Sequence, residues 1–280
     1  MSGTLYLVAT PIGNLGDISP RMAETLASCD FIAAEDTRVT LKLLNHLGIK
    51  KPLVSYYEHN RSESGEKILA RLLGGETCAL VSDAGMPAVS DPGQDLVSLC
   101  ARHGVTVLAV PGPCAAVTAV ALSGLPSGRF CFEGFLSTAR KSRFEHLQSL
   151  LNERRTMIFY EAPHKLLNTL RDMLDTFGDR RVAVCRELTK LYEETLHTTL
   201  SGALEHFTRT PPRGEFVLVV EGAAEEETPP GTLEDAVACA LALRDEGLSL
   251  KDAVKQASAE TGFPKNAVYA AVLEAENSDA

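Results

Sequence analysis

The chain lacks any long apolar run: no hydrophobic stretch approaches the roughly 20 residues that a membrane helix needs, so no membrane span is expected. Its N-terminus shows no basic region followed by an apolar core, so no secretory signal is expected and a cytoplasmic location is. It lacks paired cysteines. Seven cysteines (29, 78, 100, 114, 131, 185, 239) stand singly with no C-x-x-C, the pattern of buried thiols in a reducing compartment. Its seven histidines show no metal-binding spacing such as H-E-x-x-H, and no metal is expected. There is no Walker motif and no G-x-G-x-x-G, which argues against a diphosphate cradle. Positive charge is also short. A net charge of −10 argues against indiscriminate binding to nucleic acid.

What remains is an ordinary globular composition, 45% hydrophobic and 23% charged over 280 residues, enough for two modest domains or a large and a small one. Charge is uneven. Residues 129–181 hold ten Lys/Arg against seven Asp/Glu, and residues 231–280 hold four against nine, so a polyanion would be steered to the middle of the chain.

Short β-branched runs alternate with amphipathic stretches. Strands are expected over 4–10, 31–36, 53–57, 78–84 and 106–110, with helices near 20–29, 38–47, 62–73 and 93–103. This rhythm predicts a mostly parallel sheet with helices on both faces. "ALVSDA" and "TVLAVPG" are apolar enough for strands buried on both sides. "PGPCAA" breaks the pattern and introduces a small-residue helix over 115–123. Strands follow at 130–135, 156–162, 181–187 and 215–221, with helices at 140–153 and 164–176. "EETLHTTLSGALEHF" predicts an antiparallel strand and a short helix. "GAAEEETPPG" reads as a linker. Beyond it come three helical patterns. Leu233, Val237 and Leu241 stripe the first, Ser249 caps the second, and Gly262 and Pro264 separate it from the third, the outline of a helix-turn-helix. The expected divisions are 1–112, 113–222, a linker at 223–231 and a helical domain at 232–280.

Open α/β sheets bind ligands beyond the carboxyl ends of their strands. Those ends carry "PIGN", "EDTR", "EHNR", "SDAGMP", "PGP", "YEAPH", "RELTK" and "RGEF". Taken singly, each has a plainer role: an Asp or Ser there can cap the next helix, and a proline can simply make a turn. Together they place polar, small and proline residues on one edge. Such loops expose backbone groups beside apolar surface, which suits adenine and a short zwitterionic tail. Asp83, Glu161 and Glu215 would favour a cation.

The segments "LYLVATPIGNLGDIS", "AAEDTR", "SDAGMPAVSDPG", "PGPCA", "FYEAPHK", "RELTKLYEE" and "GEFVLVVEG" occur in that order. In them the chain resembles the bacterial small-subunit (16S) ribosomal RNA cytidine 2′-O-methyltransferase I family, over about residues 3–222. That family belongs to the tetrapyrrole-methylase-like (class III) S-adenosylmethionine methyltransferases. The resemblance implies two α/β domains with the cofactor in the cleft between them, a small all-α helix-turn-helix-like domain, and a homodimer. It implies methyl transfer to a cytidine 2′-oxygen in the decoding region of small-subunit rRNA, free or assembled in the subunit, with no part for membrane or DNA. Carried over by motif, S-adenosyl-L-methionine would meet Pro11, Asp83, Ala84, Gly85, Val89, Ala115 and Ala116. Across the cleft it would meet Tyr160, Glu161, Leu188 and Glu215.

A ribose hydroxyl is a poor nucleophile until its proton leaves, so a general base is needed. Asp36, His59 and Glu187 are the candidates, with Arg38 and Lys190 to hold adjacent phosphates or lower the hydroxyl pKa. The stretch Arg140-Lys141-Ser142-Arg143 with Arg154-Arg155 is a candidate phosphate footprint. Lys265, Asn266 and Tyr269 open the third C-terminal helix, where base contacts would arise. Two rival readings share the fold: a tetrapyrrole methyltransferase, and an RNA- or ribosome-binding factor without catalysis.

Overall fold

The computed structural model describes residues 2–224 and 232–278. The chain divides into two units, Met1–Ala223 and Ala224–Ala280. The expected linker falls, from residue 225 onward, outside the described residues.

The first unit opens with five parallel strands, β1 (Thr4–Val8), β2 (Phe31–Ala34), β3 (Leu53–Ser55), β4 (Cys78–Val81) and β5 (Thr106–Val110), in the order β3-β2-β4-β1-β5. Their connections are α1 (Pro20–Ser28), α2 (Thr37–His46), α3 (Arg61–Leu73) and α4 (Gly93–Arg102). The period-2 alternation of strand side chains divides the core in two. Phe31, Ala33, Cys78 and Leu80 pack with Ile68 and Leu72 of α3 and Leu96 of α4, while Ile32, Ala34, Ala79 and Val81 pack with Met22 and Leu26 of α1 and Leu44 of α2. Helices therefore cover both faces. The helix starts are local: Ser19 caps α1 through the Met22 N–H with Pro20 at its first turn, and Asp36 caps α2 through the Arg38 N–H. One expectation fails. "TVLAV" is not buried on both sides, because β5 is an edge strand paired only with β1, and Leu108 is 47% exposed.

The second sheet holds β6 (Phe130–Phe135), β7 (Thr156–Glu161), β8 (Arg181–Arg186), β9 (Glu194–Thr199) and β10 (Phe216–Val220), in the order β6-β7-β10-β8-β9. Only β6 and β7 run parallel; the others pair antiparallel. α6 (Arg140–Ser149), α7 (Leu166–Phe177) and α8 (Leu200–Arg209) cover one face, and α5 (Ala115–Leu122) packs on the other. The cluster under α5 includes Ile12 from the loop after β1, so the two sheets share apolar packing.

Arg143 of α6 is buried. It donates through Nε to Asp172 of α7 at 2.7 Å and through Nη1 to the carbonyls of Ser137 and Thr138. Arg155 is bonded to Glu153. The expected phosphate footprint therefore loses two of its cations to internal pairing.

In the second unit α9 (Leu233–Asp245) starts with a capping box between Thr232 and Asp235, and α10 (Leu250–Thr261) is capped by Ser249. Gly262 ends α10 in the left-handed conformation, and α11 (Lys265–Ser278) follows. Of the stripe expected on α9, Val237 and Leu241 pack against the core of this unit. Ala236 and Ala240 are buried against Val254, Ala257, Val268 and Val272, whereas Leu233 is 37% exposed.

Breaking a buried ion pair strands a charge. Asp172→Ala is expected to cost about 3–5 kcal/mol, read as a lower denaturation midpoint, and Arg143→Met with Asp172→Leu to recover most of it. A loss under about 1 kcal/mol in the single variant would instead mark the pair as solvated.

Candidate functional site

The carboxyl ends of the strands come together as one edge. Thr10 N–H donates to the Gly85 carbonyl at 2.9 Å and Gly85 N–H to that of Thr10 at 3.1 Å, so the loops after β1 and β4 are bridged. Gly85 has φ +80°, and a Cβ there would lie 3.1 Å from Ile12 Cγ2 and 3.3 Å from the Pro113 carbonyl. Only glycine fits that turn without displacing a neighbour.

Two cavities open on this edge. The larger, about 610 Å³, lies between the two sheets and has the size of a cofactor site. Asp83, Ala84, Gly85 and Val89 form one side and Ala115 another; Tyr160, Glu161, Leu188 and Glu215 face them. Nine of the eleven residues carried over for the cofactor thus line one cavity. The other two are placed differently. Pro11 lines the smaller cavity, and Ile12 takes its place in the larger. Ala116 is buried, and its N–H donates to the Tyr160 hydroxyl at 3.1 Å. Burial pushes the Tyr160 hydroxyl up to about 12, so it keeps its proton. Glu161 lines the cavity, but its oxygens accept from the Ala162 N–H at 2.8 Å and the Thr169 hydroxyl at 2.5 Å, which makes it a brace for the loop.

Lys190 enters the larger cavity from the loop between β8 and β9. Its ammonium donates to Glu187 at 2.8 Å and to Glu215 at 2.7 Å. Its stem crosses Gly13 so closely that a Cβ there would stand 2.4 Å from Lys190 Cγ. Burial works to lower the Lys190 pKa, but the two carboxylates outweigh it and hold the group charged. Burial likewise raises Glu187, and the bonds from Lys190 and the Glu215 N–H overcome it, leaving the carboxyl below its ordinary range. Glu187 (φ +51°) and Thr189 (φ +67°) are left-handed without being glycine. They present Leu188 to the cavity, and such backbone is retained where the surroundings impose it.

The other candidates separate. The Asp36 carboxylate pairs with the Arg38 guanidinium at 3.0 and 2.6 Å, and this bond and the Arg38 N–H bring its carboxyl down to about 2. That is a poor proton acceptor at neutral pH. His59 is exposed, edge-on to Tyr57, and lines neither cavity. The sequence reading passed over Glu35, which lines the larger cavity. Burial raises its pKa, and Asp83 and Asp91 raise it further. The available signal was its place just past β2, one residue before the helix cap.

The smaller cavity, about 280 Å³, lies between the loop after β1 and α2 and shares Ser82 and Asp83 with the larger. Among the described residues no group of three or more His, Cys, Asp or Glu gathers to hold a metal ion, and no helix is long and apolar enough to cross a membrane.

The family model for tetrapyrrole (corrin/porphyrin) methylases matches residues 4–204, and that for the RsmI C-terminal HTH domain matches 231–276. The chain is 48% identical to ribosomal RNA small subunit methyltransferase I of Synechocystis sp., covering 98% of this chain and 99% of that protein. It is 46% identical to the Escherichia coli O157:H7 protein of the same name, over 97% and 95%. Among solved structures, uroporphyrin-III C-methyltransferase from Thermus thermophilus complexed with S-adenosyl homocysteine has a TM-score of 0.54 at 18% identity, covering 78% of this chain and 97% of that one. At that identity the likeness is one of fold.

Lys190→Met keeps the stem over Gly13 and removes the ammonium. The Glu187 carboxyl should then titrate at higher pH than in the parent, followed by carboxyl-carbon NMR. Because the folded pKa is depressed, the stability it contributes is present above the ordinary carboxyl pKa and is lost as pH falls through the folded value. The variant's deficit should therefore fade in acid. An unchanged Glu187 midpoint would show that the ammonium is not what holds it down.

Proposed function

The chain belongs to the tetrapyrrole (corrin/porphyrin) methylase family, among the ribosomal RNA small subunit methyltransferase I proteins. From that premise we propose that it methylates the ribose 2′-oxygen of a cytidine in the decoding region of small-subunit rRNA. One observation carries the reading: the loops bearing the family-like motifs line one cofactor-sized cavity, with a charged lysine and a carboxyl of raised pKa facing into it.

The cavity fits S-adenosylmethionine in its chemistry. Ala84, Gly85 and Ala115 leave room for backbone contacts, Ile12, Val89 and Leu188 supply apolar wall, and Asp83, Asp91 and Glu215 favour a cation. When bound, this cofactor supplies a methyl group activated by its sulfonium. The chain's own task is then positioning and proton removal. Asp36 and Glu187 are committed to Arg38 and Lys190. Glu35 takes the 2′-hydroxyl proton on a carboxylate oxygen, and its raised pKa makes it the better acceptor. The Lys190 ammonium stabilises negative charge growing on the ribose oxygen. The tetrapyrrole reading is favoured by the description of the family model and by fold likeness at 15–20% identity in the solved structures, whereas the near full-length relatives at 43–48% identity carry the rRNA methyltransferase name.

The functional form is a homodimer, supported by apolar surface left open at Leu108 of β5 and at Val117 and Leu122 of α5. The C-terminal unit docks rRNA through α11, where Lys265, Asn266 and Tyr269 are exposed. Deleting 231–280 should weaken RNA binding and leave the dimer, measured by sedimentation.

The deciding experiment is labelled methyl transfer to undermethylated small subunits, with free rRNA and a tetrapyrrole for comparison. Transfer to the tetrapyrrole alone, or none at all, would overturn the assignment. Glu35→Gln should lower transfer by about 10²–10⁴-fold with cofactor affinity preserved by calorimetry, and Lys190→Ala should abolish it. His59→Ala should leave it intact. In the wild type, kcat/KM should rise with pH through the elevated Glu35 pKa.

A further inference from the structure

The smaller cavity adjoins the one assigned to the cofactor. Ser82 and Asp83 line both cavities, and Gly13, on its rim, carries the Lys190 stem. At about 280 Å³ it falls just below the roughly 300–1,000 Å³ typical of cofactor-sized ligands, so it suits a single ring.

Its walls differ in character. Leu15, Val39 and Leu43 are apolar, and Leu15 and Val39 are 50% and 39% exposed, so a flat apolar slot stands open. Lys42 and His46 are four residues apart on the outer face of α2, whose other face buries Thr40 and Leu44. Neither side chain makes a hydrogen bond or ion pair with another described residue. Opposite them is Asp83. One of its oxygens accepts from the Asp36 N–H at 3.0 Å, and the other has no hydrogen-bond partner among the described residues.

We propose that this cavity receives the base of the target nucleotide and selects cytosine over uracil, with Lys42, His46 and Asp83 reading its pairing edge. The inference rests on the rRNA reading above. An enzyme that works on a nucleotide within structured RNA gains access by turning it out of the stack into a pocket. With the methyl donor in the larger cavity and Lys190 at the border, the ribose lies between the two and its base falls in the smaller. Cytosine offers an exocyclic amine to a carboxylate, and its N3 and O2 accept hydrogen bonds from an ammonium or imidazole N–H. Uracil would set its O4 against the Asp83 carboxylate and its N3–H against a donor, and both are repulsive. Attraction to one base and repulsion of the other produce the selectivity.

The test uses the full chain and undermethylated small subunits reconstituted with either cytidine or uridine at the target position. The wild type should prefer cytidine. His46→Ala and Lys42→Ala, at exposed positions that spare the core, should each shrink the cytidine-to-uridine ratio of kcat/KM by about 5- to 100-fold. Cofactor affinity should be unchanged by calorimetry, and so should the slope of log kcat/KM against log salt. Val39→Trp, filling the slot from a partly exposed position, should lower transfer to cytidine with cofactor affinity preserved. An unchanged ratio in the alanine variants, or a wild type indifferent to the base, overturns the inference and leaves the rRNA reading standing. A shallower salt slope with the ratio intact also overturns it, since that marks phosphate contacts. Loss of cofactor affinity assigns the cavity to the cofactor instead. A wild type that methylates neither subunit overturns both readings.

Discussion

The Lys190 ammonium lies 2.8 Å from Glu187 and 2.7 Å from Glu215 while its stem crosses Gly13, so the loop after β1 and two loops of the second sheet meet at one side chain. The geometry of the cleft depends on that meeting. Glu187 is held in a left-handed conformation, and the same residue's carboxylate accepts from both Lys190 and the Glu215 N–H. Leu188 is thereby turned into the cavity. A longer residue at position 13 would push the lysine out, and with it the constraint on Glu187. Close approach, rather than phosphate binding, is what Gly13 serves.

Carboxyls one residue apart on the same loop are driven in opposite directions. Asp36 is bonded to Arg38, which brings it down to about 2, whereas Glu35 is half-buried near Asp83 and Asp91 and is pushed up. Pushing paired carboxyls apart in this way leaves one firmly ionised and makes the other the stronger proton acceptor. It also sets stability against function. Ionised Glu35 is penalised by its surroundings, so the fold bears a strain that a neutral residue would relieve, as functional sites commonly do.

Much of this was legible in the residues. Alternation of strands and helices, the cap at Ser249 and the Gly262 break are local signals, and the structure carries each of them. Most expected cofactor contacts reach one cavity because they follow strands, and strand ends in an α/β sheet share an edge. What failed depended on long-range arrangement. "TVLAV" has the composition of a buried strand, but whether a strand is central or at the edge is decided by sheet order. Arg143 reads as a solvated basic residue until α7 brings Asp172 beside it. Lys42 and His46 stand on the outer face of α2, and only the fold of the loop after β1 makes that face a wall. His59 follows a strand like the others, yet β3 lies at the sheet edge away from β1 and β5, and none of the "EHNR" residues after it lines either cavity.

An acidic protein that acts on a polyanion cannot rely on bulk charge. The net charge is −10, and the most basic stretch of the chain has Arg143 sequestered with Asp172 and Arg155 with Glu153. Counterion release from many phosphate contacts, which dominates non-specific affinity, is therefore weak here. Recognition must rest on few, well-placed contacts: shape, the apolar slot and the hydrogen-bonding edge of one base. Such a design gives up affinity for RNA in general and keeps discrimination at the reacting nucleotide, because a wrong base leaves polar groups of the site unpaired. It also explains why the cleft can tolerate so many carboxylates. They repel phosphates along the rim, while the charge that the larger cavity has to accommodate is positive.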